Sequence, residues 1–124
     1  MKTKEDIIMN WLPRYTGTPV EEFAEYILLT NFSNYVLRFS KRFDVPVRGE
    51  GFPMQTSTAG NLTIINFGIG SPNAATIMDL LGAIKPKGVL FLGKCGGIKH
   101  STEIGHYILP TAAIRGEGTS MDYF

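Results

Sequence analysis

The chain has 124 residues, of which 44% are hydrophobic, and a formal net charge of +1. That length suits one domain with a modest core, and the apolar content excludes intrinsic disorder. Balanced charge without a basic stripe excludes a strong nucleic-acid footprint and points to a small-molecule ligand.

Lys4 to Trp11 predicts a short helix that ends before Pro13, where the ring removes a donor. Thr18-Pro19-Val20-Glu21 has the form of a capping box, with proline at the first helical position and Glu three residues after Thr, and predicts a helical turn through about Glu25. Tyr26 to Thr30 is a continuous apolar run and reads as a buried strand. Val36, Phe39 and Phe43 then recur at helical spacing, with Arg38, Lys41 and Arg42 between them. Met54 to Ala59 and Leu62 to Phe67 read as two strands around a tight Gly60-Asn61 turn. Gly68-Ile69-Gly70-Ser71-Pro72 opens a helix with Ser71 as cap and Pro72 at its first position, and Ile77, Leu80, Leu81 and Ile84 share one face. Pro86 and Gly88 end it, Gly88 to Leu92 is another buried strand, and His106 to Ile114 reads as one further strand. Strands alternating with helices imply an α/β fold with a mixed central sheet flanked by helices. Residues 1–124 are expected to form one partial domain that stops in mid-domain, because the ending Met121-Asp122-Tyr123-Phe124 carries no Gly, Pro or charged tail.

The N-terminal Lys2, Lys4, Glu5 and Asp6 are not followed by a long apolar run, so no signal peptide is read there. Runs such as Val89 to Leu92 are too short to span a bilayer. With the single cysteine, Cys95, no internal disulfide can form. The expectation is a soluble cytoplasmic protein with no membrane or nucleic-acid partner.

Two glycine-rich loops each follow a strand, the position where ligands bind in open α/β sheets. At Gly68-Ile69-Gly70 the absent side chains admit a ligand to the backbone, and the helix start beyond offers N–H groups and a positive dipole end to an anion. The same glycines also suit a tight strand-to-helix turn with no ligand. They are not a dinucleotide fingerprint, because Asn73 stands where G-x-G-x-x-G needs a small residue. No Walker-type P-loop occurs either, so no cofactor is expected. Lys94 and Gly96 belong to the second loop, Gly93 to Gly97, where Lys94 suits a phosphate or hydroxyl group as well as plain solvent. Cys95 reads as a small buried residue rather than a nucleophile, since no His or carboxylate lies at a helpful spacing. His100 and His106 lack the spacing of a metal site. Arg115, Glu117 and Thr119, within Arg115 to Ser120, combine a cation, an acid and a hydroxyl suited to a sugar or phosphate. Arg48, beside Gly49 and Gly51, is a further candidate anion contact, with a solvated side chain as the plain alternative.

The blocks Leu62 to Leu81 and Leu90 to Gly97, the latter carrying a G-x-C-G loop, resemble the nucleoside phosphorylase and nucleosidase superfamily. With Ile104 to Pro110 and Arg115 to Ser120, the resemblance covers nearly all of residues 26–124 and is strongest to its AMP nucleosidases. It implies hydrolysis of the N-glycosidic bond of AMP to adenine and ribose 5-phosphate, with water as nucleophile. Phosphorylases hold inorganic phosphate partly through an Arg where this chain has Phe91, and their Gly-Asp-Pro-x-Arg loop is replaced by Asn31 to Tyr35. The resemblance implies that Lys94, where the family usually has Ser or Thr, instead serves the substrate's own 5′-phosphate. The resemblance also implies a homo-oligomer with a dimer-shared site reached by Arg48. It puts the acid near the purine and a Met–Glu pair on the ribose in a C-terminal half, so this chain by itself is expected to have little activity. The alternatives are a purine nucleoside phosphorylase or methylthioadenosine-type nucleosidase, and, from another class, a non-catalytic nucleotide-binding fragment.

Overall fold

Tyr26–Thr30, the apolar run YILLT, is strand β1 of a four-stranded sheet in the computed structural model, which describes residues 2–123. Beside it lie β2 (Gln55–Ala59), β3 (Leu62–Asn66) and β4 (Gly88–Leu92), in the order β2-β3-β1-β4. β3 and β4 both run parallel to β1, and β2 is antiparallel to β3 across the Gly60-Asn61 turn. The mixed α/β sheet expected from the sequence is therefore present.

Three helices cover the sheet: α1 (Lys4–Thr16), α2 (Ser33–Phe43) and α3 (Ser71–Leu80). Successive strand residues point to opposite faces, so each buried strand supplies two cores. On one face Ile27, Leu29, Ile65 and Phe67 pack with Leu12 of α1 and with Ile77, Leu80 and Leu81 in and just after α3. On the other, Ile64 packs with Val36 and Phe39 of α2, backed by Leu28 and Leu62. Each such aliphatic side chain, fully buried, contributes roughly 1.5–3 kcal/mol.

Several expectations need correction. α1 does not stop before Pro13 but runs through it to Thr16. The proline sits near the helix end, its carbonyl accepts from Gly17 N–H at 2.8 Å, and fully buried Leu12 and Thr16 hold the last turn in place. Packing here outweighs the one lost hydrogen bond. A capping box does form in the chain, but at Thr3 and Asp6. The Thr18 box does not form: that hydroxyl lies 2.6 Å from Thr56 Oγ1, and only a 3-10 turn, Val20–Glu22, follows. The cap of α3 is Gly70 rather than Ser71, because the cap carries φ 100°, which glycine alone adopts without strain.

β4 is a strand but not a buried one. Leu90 and Phe91 are 57% and 56% exposed, and neither core cluster includes a β4 residue. It lies at the sheet margin, where the helices that cover β1 and β3 do not reach.

The chain divides after Gly93 into two units. Everything above belongs to the first. Among the described residues of the second none is buried, and its one regular element is a 3-10 turn, Thr119–Tyr123. The strand expected over 106–114 is absent, since a strand requires a hydrogen-bonding partner and these residues have no ladder among the described residues. No helix among the described residues is long and apolar enough to cross a membrane.

Candidate functional site

The parallel registers place Thr30 level with Asn66 on one side and with Leu92 on the other, so β1, β3 and β4 end in a line. The chain leaves β1 into α2 within Asn31-Phe32, and leaves β3 into α3 through Phe67-Gly68-Ile69-Gly70. Both helices therefore start at the carboxyl end of the sheet. Neither start has a side-chain cap. Their first N–H groups and positive dipole ends make this edge suited to an anion.

Asparagines shape the edge. Asn66, the last residue of β3, donates from Nδ2 to Ser33 Oγ at 3.0 Å and accepts at Oδ1 from Gly68 N–H at 3.1 Å. Asn73, the residue that spoils the dinucleotide fingerprint, donates to the Ile69 carbonyl at 3.1 Å and closes the glycine turn from the helix side. A Cβ at Gly68 would lie 3.1 Å from Asn73 Nδ2, so the turn has little room for a larger residue. Asn31, just past β1, has its Oδ1 enclosed with no hydrogen-bond partner among the described residues. An enclosed acceptor without a partner costs roughly 1–3 kcal/mol. Sequence reasoning missed these three asparagines and Ser33. No local pattern set them apart, because the Asn66–Ser33 hydrogen bond joins segments distant in the chain and that of Asn73 closes a turn from its far side.

Phe91 packs its ring on Phe67 with centroids 5.8 Å apart. An apolar contact thus lies directly beside the glycine turn. Arg48 lies elsewhere. Its backbone bridges Thr56 at the outer side of β2, and its Nε is 2.6 Å from Glu22 Oε2. The pair borders a cleft of about 70 Å³ with Thr18, Thr56, Ser57 and Thr58, and no lining residue belongs to the glycine turn. Of the expected contacts, the first unit thus brings Gly68 and Gly70 together and leaves Arg48 at a separate cleft.

The other candidates lie in the second unit. Lys94 is exposed, and a Cβ on Gly96 would meet nothing within 4 Å. Cys95 is an exposed free thiol, not the buried residue expected, because residues 94–97 take part in no core. Glu117 accepts from Ser120 N–H at 3.2 Å and from the Ser120 hydroxyl, and so caps the turn that begins at Thr119. Arg115 Nη1 lies 3.8 Å from Met121 Sδ. This unit has Arg115, Glu117 and Thr119 adjacent along one short stretch. No group of three or more His, Cys, Asp or Glu residues with metal-binding geometry occurs among the described residues.

Comparisons with known proteins point one way. The phosphorylase superfamily model matches residues 16–124. An AMP nucleosidase of Escherichia coli (strain K12) is 29% identical over 89% of this chain and 30% of its own length. A uridine phosphorylase of Thermococcus kodakarensis is 31% identical over 82% of this chain and 39% of its own. The crystal structure of an AMP nucleosidase from Bacteroides thetaiotaomicron superposes with a TM-score of 0.93 at 58% identity, covering 98% of this chain and 54% of that one. The chain thus spans less than a third of the Escherichia coli relative and about half of the solved one.

Proposed function

The chain belongs to the phosphorylase superfamily, and on that premise we propose that it is part of an AMP nucleosidase, hydrolysing AMP to adenine and ribose 5-phosphate. The observation that carries this reading is the 58% identity to a solved AMP nucleosidase, kept across 98% of the chain. The strand-end edge, with two uncapped helix starts and a glycine turn, supports a phosphate-bearing ligand there.

Cleaving a ribosyl–adenine bond builds positive charge on the sugar and negative charge on the base. The enzyme has to stabilise the sugar cation, protonate the purine and supply a nucleophile. The Phe67–Phe91 ring pair supports water over inorganic phosphate, since it fills with hydrocarbon the place of a phosphate-binding cation. In this reading Gly68 and Gly70 admit the phosphate to the backbone of the turn after β3, and in the loop after β4 Gly96 and its sequence neighbour Cys95 serve as substrate contacts. Lys94 neutralises the 5′-phosphate, and Arg115, Glu117 and Thr119 add polar contacts. Arg48 reaches a neighbouring subunit's site, exchanging Glu22 for substrate, in a cytoplasmic homo-oligomer. Losing one well-placed charge-stabilising donor costs about 2.7–4 kcal/mol of barrier. The general acid, worth about 10²–10⁴-fold, lies in sequence that this chain does not contain.

The test is calorimetric binding of AMP, ribose 5-phosphate and adenosine, run beside an assay for adenine release in phosphate-free buffer. AMP and ribose 5-phosphate are expected to bind at least about tenfold tighter than adenosine, equivalent to about 1.4 kcal/mol, with little release. Cleavage that requires added phosphate would make the protein a phosphorylase. Equal binding of AMP and adenosine would remove the 5′-phosphate from the reading.

A further inference from the structure

We propose that Asn66 is a positioning residue, whose single amide locks the loop after β1 and the glycine turn after β3 into one rigid lip for a nucleoside monophosphate. The lip's ligand rests on the AMP reading above; the lock does not.

The amide engages a partner at each of its two ends. Gly68 N–H can only donate, so the oxygen of Asn66 must face it, at 3.1 Å. The nitrogen is thereby turned to Ser33 Oγ, at 3.0 Å. The partners therefore fix the orientation of the amide. Ser33 is the first residue of α2, and Gly68 begins the turn that reaches the cap of α3 at Gly70. One side chain thus sets the spacing between two helix starts on neighbouring strands. Aspartate in its place would keep the acceptor for Gly68 but lose the donor and add a negative charge. Alanine would lose both.

Two observations indicate that this spacing needs holding. Asn31, in the loop after β1, has an enclosed Oδ1 with no hydrogen-bond partner among the described residues, an arrangement that carries an energetic cost. Gly70 caps α3 at φ 100°, and Asn73 braces the same turn from its other side. A group that binds across two loops gains most when neither moves on binding, because the cost of ordering them has been met in the free protein. Small displacements at such a site carry large penalties in affinity and rate.

The experiment compares Asn66→Ala, Asn66→Asp, Ser33→Ala and the Asn66→Ala/Ser33→Ala double variant with the parent chain. Amide hydrogen exchange is read at Gly68 and at residues 33–35, and ribose 5-phosphate affinity is read by calorimetry. Asn66→Ala is expected to speed exchange in both loops together and to weaken ribose 5-phosphate about tenfold. Strands β1 and β3 should stay protected. Asn66→Asp is expected to keep Gly68 protected yet bind the anion more weakly. The double variant should lose no more affinity than Asn66→Ala alone, since both changes break the same link. Faster exchange at only one loop, or additive losses in the double variant, would overturn the lock. If the parent chain binds no ribose 5-phosphate, the AMP reading fails, and the exchange pattern still decides for or against Asn66.

Discussion

The two units of this chain contain similar raw material and use it differently. Up to Gly93, apolar residues are buried from two sides: Ile65 and Ile77 have no exposed surface. From Lys94 onward the apolar residues Ile98 and Ile114 are each 99% exposed. Local sequence accounts for only part of the contrast, since His106 to Ile114 also has a strand pattern, though one interrupted at Pro110. What also differs is the partner. β3 has a strand on each side and a helix over each face, whereas 106–114 has no ladder among the described residues. β4 falls between these cases, pairing with β1 along one side while its side chains stay outside both cores. Strand propensity therefore becomes structure in proportion to the neighbours available to satisfy it.

The widest separation between the units should come from matched truncations. Ile65→Ala is expected to cost about 2–5 kcal/mol in urea unfolding, because it opens a cavity between β3 and α3. Ile114→Ala should stay within about 0.5 kcal/mol. Comparable losses at the two positions would break the comparison and mean that the second unit buries Ile114 in solution. Glycines give a smaller version of the same contrast. A Cβ at Gly49, whose φ is 83°, would sit 2.4 Å from the Met54 carbonyl oxygen and 2.5 Å from that of Thr16. Gly49→Ala should cost about 1–3 kcal/mol through strain, read as a lowered melting temperature. Gly116 has nothing within 4 Å of the added carbon, and Gly116→Ala should move stability by less than about 0.5 kcal/mol.

The smallest effect concerns the edge of the well-packed unit. The Thr3 backbone N–H and then its hydroxyl, bonded to the Asp6 carboxylate at 2.9 and 2.8 Å, hold the Asp6 pKa below its ordinary value of 3.8. The folded pKa is thus below the unfolded one, so the cap's contribution is complete above 3.8 and fades as pH falls through the lower folded value. Amide exchange in the first turn of α1 should accelerate over that acidic range, and Asp6→Ala should abolish the pH dependence. An unchanged profile in the variant would mean that the first turn is held by packing instead.

Much of the site's frame was legible. The run Tyr26 to Thr30, the Gly60-Asn61 hairpin and the glycine turn before Pro72 each carry a local signal, and each element lies within a residue or so of its expected place. Gly68 and Gly70 could be named because glycine leaves a trace wherever backbone approach or positive φ is required. Asn66 and Ser33 left no such trace. They are 33 positions apart, and their hydrogen bond exists only because β1 and β3 are neighbours in parallel register. Arg48 is a similar case: its ion pair with Glu22 has no local signal in the sequence.

By itself, then, the sequence determined the class of fold, the order of strands and helices through Leu92 and the location of the glycine turn, since these follow from periodicity and backbone sterics over a few residues. The tertiary structure alone decided which apolar strands are buried, which threonine caps a helix and which asparagine ties two loops together. Those outcomes depend on neighbours distant in the chain, and burial or a side-chain hydrogen bond is settled only when the neighbour arrives.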